Sequence, residues 1–232
     1  MTPARPLPYA SPALIASYTQ EAPRKVPGLS DIHRMAMLLL AEQTSGPAQI
    51  LIIGAGGGME TLALARSQPD WCFTGVDPSP ATLDLARGTV APVADRVELI
   101  EGTADQAPVV LFDGATCILT LHHIDRDARL HTLQQIRRRL KPGARLVIAG
   151  HSAPGPDPER WMTRSAAFGD RGALDWKKAA ITGRMMTERL PLLTPNEEEG
   201  LLREAGFVEV VLFYAAFSFR GWVATADPNQ TC

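Results

Sequence analysis

The feature that most constrains the fold is an alternation of short apolar runs and helical patterns between Gln49 and Gly150. The candidate strands lie at residues 50–53, 71–76, 96–100, 114–119 and 144–150, and residues 50–53 are apolar throughout. A continuous apolar run fits a strand that is buried on both faces. Strands separated by helical patterns of about 10–15 residues predict right-handed crossovers and a parallel sheet.

The pattern changes after Gly150. Residues 151–192 predict a helical insertion, and TPNEEEGLLREAG predicts a helix with Thr194 as N-cap, Glu197 in a capping box and Gly206 as its stop. Two adjacent strands follow between residues 207 and 226, with no helix between them. We therefore predict an α/β fold: a doubly wound, mostly parallel seven-stranded sheet with a C-terminal antiparallel strand pair.

The 232-residue length fits one domain with a small elaboration. Residues 1–28 contain six prolines, which predicts an irregular N-terminal arm. Residues 29–232 form the predicted domain, with the insertion at about 151–192. Its first helix precedes the sheet, with Ser30 as the expected N-cap. A homodimer that packs through the arm and this first helix is an alternative to a monomer.

Composition excludes several classes of protein. The formal charge is −2, which disfavours nucleic-acid binding. The three cysteines (Cys72, Cys117, Cys232) have no CxxC spacing, and no HxxxH pair is present, so we expect neither disulfides nor a metal. No apolar run approaches the length of a membrane span, and the first residues do not resemble a signal peptide. The expected location is the cytoplasm.

A glycine-rich turn, residues 54–58, lies directly between a buried strand and a helix. Glycine lets the backbone approach a ligand closely, and the helix N-terminus offers free N–H groups. Asp77 ends the second strand, where a carboxylate can accept the hydroxyls of a ribose. Met59 stands where a dinucleotide fingerprint has its third glycine, and no GK[ST] follows, so NAD is disfavoured and a P-loop is excluded.

The motifs and their order resemble the class I S-adenosylmethionine-dependent methyltransferases. ILIIGAGGGMET and TGVDPSPATLDLAR are similar to the family's first two motifs. ELIEGTADQ, GATCILTLHHI and RLKPGARLVI are similar to the segments that follow, and EAGFVEVVLFYAAFSFRGWVA to its last two strands. The resemblance implies a methyltransferase that uses S-adenosyl-L-methionine and acts on a small molecule.

The resemblance also implies which residues bind the cofactor. The glycine turn would face the methionine and ribose, Asp77 the ribose hydroxyls, and the loop after the third strand the adenine. The end of the fourth strand would lie beside the sulfonium. These residues are Gly54, Ala55, Gly56, Asp77, Pro78, Thr103, Ala104, Asp105, Ile118, Leu119 and Thr120.

Within the superfamily, VPGLSDIHRMAMLLLAEQ and the RMM…LLTP…LLREAGF tail are similar to carboxy-S-adenosylmethionine synthases. Those synthases hold the extra carboxylate of their cofactor with a tyrosine and an arginine. This sequence has Leu29 at the tyrosine position, and Arg184 lies one residue out of step with the arginine. The family also usually has an acidic residue two positions before the first glycine, where this chain has Ile52. A synthase, or a binding protein without catalysis, therefore remains an alternative.

Methyl transfer to a phenol or a protonated amine requires removal of a proton. His122 and His123 follow the fourth strand beside the expected methyl position and are the candidate general bases; a packing role is the alternative. Residues 137–139 are all arginine and predict a solvated helix end. The acceptor pocket is expected among the arm, the insertion and the last strands. The insertion contains large aromatic and methionine side chains that either line this pocket or pack in the core: Trp161, Phe168, Trp176, Met185 and Met186.

Overall fold

The computed structural model describes residues 21–44 and 46–229. Seven strands form one sheet: β1 Ala48–Ile53, β2 Trp71–Asp77, β3 Val97–Glu101, β4 Phe112–Ile118, β5 Leu140–His151, β6 Phe207–Ala216 and β7 Phe219–Ala226. Seven α-helices have both ends within the described residues: α1 Leu29–Ala41, α2 Met59–Ser67, α3 Pro80–Val90, α4 Arg126–Arg137, α5 Pro158–Gly169, α6 Trp176–Arg189 and α7 Pro195–Glu204. None of these helices is long and apolar enough to cross a membrane.

The sheet has the strand order β3-β2-β1-β4-β5-β7-β6. Strands β1 to β5 pair in parallel, while β7 pairs antiparallel with both β5 and β6. The predicted α/β class, the seven-stranded sheet and the antiparallel close are confirmed. The direction in which successive strands are added to the sheet reverses between β1 and β4. A crevice therefore opens at the carboxyl ends of these two strands.

Two apolar layers cover the sheet. One face packs against α1 and α2 through residues such as Ile32 and Leu64, and the other against α4 and α7 through residues such as Leu133 and Leu202. A buried ion pair between Arg129 and Glu198 joins α4 to α7 on the second face. These layers leave the carboxyl ends of the parallel strands at one edge.

Side-chain capping sets the start of α3 and of α7. The Ser79 hydroxyl accepts the Thr82 N–H at 3.3 Å, and Thr194 forms the predicted capping box with Glu197. Ser30 is not the N-cap of α1, because the helix begins at Leu29, two residues before the start that this cap would give. Gly28 takes the cap position with φ of 60°.

Two further expectations need correction. Most of the arm predicted over residues 1–28 lies outside the described residues, but residues 21–25 are helical, and Ala22 and Val26 are buried in the core. The arginine run at 137–139 is not a solvated helix end, because Arg137 and Arg139 are buried. They donate hydrogen bonds to carbonyl oxygens of neighbouring loops.

Candidate active site

The glycine turn is held against the end of β2. The N–H groups of Gly54 and Ala55 both donate to the Val76 carbonyl oxygen, at 2.8 and 3.0 Å. Gly54 and Gly56 have φ of 78° and 51°, a region that side-chain-bearing residues rarely enter. The turn is therefore fixed in a conformation that keeps its backbone open to a ligand.

The turn also meets the end of β4. A Cβ placed on Gly54 would overlap Thr120 Oγ1 and lie 2.9 Å from Thr120 Cβ. The preceding residue, Leu119, has φ of 60°, which is strained for a branched side chain, and its N–H donates to the Ala149 carbonyl oxygen at 2.6 Å. Backbone strain of this kind is concentrated at binding sites, so the β4 end is a second wall of the crevice.

Asp77 joins the turn to the loops after β2 and β3. Its Oδ2 accepts the Gly56 N–H and its Oδ1 the Ser79 N–H, each at 2.9 Å. The Asp77 carbonyl oxygen also accepts the Gly102 N–H at 3.0 Å. Burial raises the pKa of the carboxyl group, and these backbone N–H groups oppose that shift. Each carboxylate oxygen keeps a free lone pair, so Asp77 can still accept hydrogen bonds from the hydroxyl groups of a ribose.

The loop after β3 is braced from below. Arg139 donates to the carbonyl oxygens of Asp105 and Ala107, at 3.1 and 2.9 Å. Ala104 is buried, while Thr103 and Asp105 are exposed at the loop surface. The Asp105 carboxylate lies 2.8 Å from His131 Nε2, and its pKa is lowered chiefly by this contact. Arg139 was predicted to be solvated; it instead positions the loop expected to meet an adenine.

These contacts connect the carboxyl ends of β1, β2, β3 and β4 along one edge of the sheet. Gly54 meets Thr120, Gly56 meets Asp77, and Asp77 meets the β3 loop through Gly102. An open glycine turn beside a carboxylate with spare acceptor capacity fits an adenosine with its ribose, so the residues present suit the expected nucleoside.

The two candidate bases differ in exposure. His122 is buried, and its Nδ1 accepts the His151 N–H at 3.4 Å. His123 is partly exposed, and its ring centroid lies 4.2 Å from that of His122. Burial lowers the pKa of His123 to about 4 and that of His122 well below its ordinary value. Both imidazoles are therefore neutral at neutral pH.

A polar network continues from these histidines into the insertion. His151 Nδ1 lies 2.8 Å from Ser218 Oγ, which lies 2.6 Å from Ser165 Oγ. A Cβ on Gly150 would come within 2.6 Å of His122 Nδ1, so the glycine makes room for the ring. Sequence reasoning assigned no role to His151. Its place as the last residue of β5, at the carboxyl edge, was the available signal.

Glu60 is a second polar residue that sequence reasoning missed. It lies in the first turn of α2, directly after the glycine turn, and is only 7% exposed. Its Oε1 has no hydrogen-bond partner among the described residues. Burial raises the pKa of this carboxyl group to about 7, and the Thr116 hydroxyl opposes the shift. A polar residue at the start of an otherwise apolar helix face was the signal for it.

Comparison with known proteins finds similarity in sequence and in fold. A family model described as methyltransferase domain matches residues 50–143. Carboxy-S-adenosyl-L-methionine synthase of Aeromonas hydrophila is 25% identical, over 89% of this chain and 86% of the relative. The enzyme of the same name from Klebsiella pneumoniae is 27% identical over the same shares.

Solved structures agree on the fold. An O-methyltransferase family protein from Burkholderia thailandensis superposes with a TM-score of 0.63 at 16% identity, over 94% of this chain and 58% of that chain. An O-methyltransferase family 2 protein from Planctomyces limnophilus has a TM-score of 0.59 at 18% identity, over 87% of this chain and 62% of that chain. This chain thus spans about three fifths of each of these structures.

The chain therefore contains a region similar to a methyltransferase domain. The matched range includes the glycine turn, Asp77 and the histidine pair, so the crevice lies within the region of similarity. The protein is accordingly an enzyme, and S-adenosyl-L-methionine is its cofactor or substrate.

Two predicted site residues lie apart from the buried contacts of the crevice. Arg184 is on α6 with its side chain 68% exposed, and its Nε lies 3.4 Å from Glu159 Oε1 on α5. Pro78 is exposed at the start of the loop after β2. Their roles as cofactor contacts stay predictions.

The insertion forms helices α5 and α6, which pack on each other. Trp161 is partly buried beneath the Arg164 guanidinium, whose carbon lies 4.4 Å from the ring centroid. Trp176 and Met185 are exposed. The set therefore divides between packing and surface positions. Within the described part of the chain, no group of three His, Cys, Asp or Glu side chains is arranged to hold a metal ion.

Proposed function

We propose that the enzyme transfers a methyl group from S-adenosylmethionine to a small molecule in one in-line step. The main support is the placement of the two residues at the positions where synthases bind the extra carboxylate of their cofactor. Leu29 is a buried apolar residue where synthases have a tyrosine, and Arg184 is paired with Glu159 on the surface. Neither side chain is placed to hold an additional carboxylate near the cofactor, so a cofactor without one is favoured.

The cofactor supplies an activated methyl group, and the chain's contribution is mainly alignment. The glycine turn, Asp77 and the braced β3 loop fix the nucleoside end, and the strained end of β4 fixes the wall beside it. Holding two reactants in line can supply about 7–11 kcal/mol of a barrier. Positioning therefore accounts for most of the proposed catalysis.

His123 is the proposed general base because it is neutral, partly exposed and adjacent to Thr120, whose carbonyl oxygen accepts the His123 N–H at 3.1 Å. Its pKa of about 4 makes it a weak base at neutral pH. His122 is buried, and its ring contacts that of His123 at an interplanar angle of 43°. The base is thus expected to assist a transfer that is already aligned.

The His123→Ala variant should lower kcat by about 10-fold, because general-base catalysis by a poorly matched base contributes little. Its Kd for S-adenosylhomocysteine should stay within about 2-fold of wild type, since Asp77 and the glycine turn are untouched. Stopped assays with an acceptor found by screening measure kcat, and calorimetric titration measures Kd. Unchanged kcat would assign His123 to packing.

A synthase that carboxylates the methyl group of its cofactor is the second candidate. It is favoured by the names of the curated relatives, which align over nearly nine tenths of this chain. For that chemistry the extra carboxylate would need a cation. Rotation of Arg184 away from Glu159 is the simplest source, because the pair is exposed and easily broken.

Mass spectrometry of the nucleoside released from freshly purified protein separates the two candidates. S-adenosylmethionine or S-adenosylhomocysteine supports the methyltransferase and justifies an acceptor screen. A nucleoside heavier than S-adenosylmethionine by one carboxyl group would establish the synthase. In that case, Arg184→Met should lose the ligand while Arg189→Met, another arginine of α6, should retain it.

A further inference from the structure

We propose that Glu60 holds the α-amino group of the methionine moiety of S-adenosylmethionine. The methyltransferases that this sequence resembles usually place an acidic residue at the position of Ile52, and an isoleucine cannot accept a hydrogen bond from an ammonium group. Glu60 would supply the carboxylate from helix α2 instead of strand β1. The inference rests on the cofactor, and it holds for either the methyltransferase or the synthase.

The position of Thr116 links the two residues. Ile52 on β1 and Thr116 on β4 are register partners, so their side chains lie side by side on the same face of the sheet. The Thr116 hydroxyl lies close enough to the Glu60 carboxyl group to lower its pKa, although Thr116 Oγ1 has no partner of good hydrogen-bond geometry among the described residues. The Glu60 carboxyl group therefore reaches the region that a carboxylate on residue 52 would occupy.

The unsatisfied state of Glu60 points to a missing cation. A buried carboxyl oxygen without a hydrogen-bond partner destabilises the fold by about 1–3 kcal/mol and is rare in native proteins. Glu60 has such an oxygen in the first turn after the glycine turn, less than one helical turn from Gly58. No cationic side chain contributes to its pKa shift. An ammonium group brought by the ligand would complete the site.

Titratable neighbours do not replace that cation. Burial raises the pKa of the Cys117 thiol on β4, and the charge of Glu60 raises it further, so this thiol is neutral at neutral pH. A pKa of about 7 for Glu60 means that the free protein holds the carboxyl group partly protonated. Pairing with an ammonium group favours the charged form, so ligand binding should release a proton.

The test compares two ligands that differ in the amino-acid moiety. S-adenosylhomocysteine carries the α-amino group, whereas methylthioadenosine has the same adenosine and thioether without it. Calorimetric titration of Glu60→Gln should show about 10-fold or greater weakening for S-adenosylhomocysteine and less than about 2-fold change for methylthioadenosine. Glu98→Gln, an exposed glutamate on β3, is the matched control and should leave both affinities unchanged.

A rescue variant tests the exchange of positions. Adding Ile52→Asp to Glu60→Gln restores a carboxylate to strand β1, and affinity for S-adenosylhomocysteine should recover by at least about 3-fold. Equal weakening for both ligands, or no weakening for either, would overturn the proposal. If the wild-type protein bound neither ligand, the cofactor assignment itself would be contradicted.

A measurement on the wild-type protein keeps the proposal testable if the variant does not fold. Between about pH 6 and pH 7 the affinity for S-adenosylhomocysteine should rise by about 5-fold, because the proton on Glu60 must leave when the ammonium group binds. The affinity for methylthioadenosine should stay flat, and since it retains the ribose, this ligand controls for Asp77. A flat profile for both ligands would show that Glu60 does not meet the amino group.

Discussion

Replacing Gly54 with alanine is expected to lower the free energy of unfolding by about 3 kcal/mol and to abolish measurable binding of S-adenosylhomocysteine. Two costs combine. The φ of 78° is a left-handed conformation, which costs an L-residue about 1–2 kcal/mol. The new Cβ would also overlap the Thr120 side chain, and such overpacking typically costs about 1–3 kcal/mol. Relief of this clash would move the turn and the β4 end apart.

Gly143→Ala is the matched control for this prediction. Gly143 has φ of 79°, nearly the value of Gly54, but a Cβ there meets nothing within 4 Å. It should therefore lose only about 1 kcal/mol and bind S-adenosylhomocysteine normally. Urea unfolding measures both variants, and calorimetric titration measures binding. Similar losses in the two variants would mean that Thr120 moves aside freely and that the close approach has no role.

The sheet could be predicted because its signals are local. Residues 50–53 are apolar throughout, which is typical of a strand buried on both faces, and the candidate strands recur at a spacing that allows crossovers. The capping box of Thr194 is likewise contained within four residues. From strand order and direction it also followed that Gly54, Asp77 and Thr120 would share one edge, since parallel strands end on the same side.

Contacts between distant side chains could not be predicted in this way. The arginine run at 137–139 has the composition of a solvated helix end. Arg139 is buried only because the loop at residues 105–108 places carbonyl oxygens above it. The His151–Ser218 contact spans 67 residues and depends on the register of β5 with β7. Neither a local pattern nor a strand order contains that information.

The position of Arg184 illustrates the same limit. Spacing along the sequence placed it close to the arginine of the carboxylate clamp, but a helix turns by about 100° per residue. An offset of one residue therefore directs a side chain toward a different neighbour, here Glu159 on α5. On a helix, a shift of one position therefore makes a motif a poor predictor of which side chain reaches a site. On the glycine turn the predicted contact is made by the backbone, so it does not depend on the direction of a side chain.

Replacing Asp77 with alanine is expected to weaken binding of S-adenosylhomocysteine by at least about 100-fold. Hydrogen bonds to a charged group contribute about 1.5–3 kcal/mol each, and the two ribose hydroxyls would lose both of theirs. The variant also removes the acceptor for the Gly56 and Ser79 N–H groups, so the glycine turn becomes less well fixed. The fold itself should persist, because β2 and its pairing do not depend on this side chain.

Two further variants separate the ribose contact from the support of the turn. Asp84→Ala removes a carboxylate from the exposed face of α3, where it pairs with Arg87, and should leave affinity unchanged. Asp77→Asn keeps one oxygen to accept a turn N–H but lacks the charge, and should still weaken binding by more than about 10-fold. If Asp77→Asn bound like wild type while Asp77→Ala did not, Asp77 would act by shaping the glycine turn. The ribose would then be held by the backbone of that turn, and the carboxylate would have no direct contact with the cofactor.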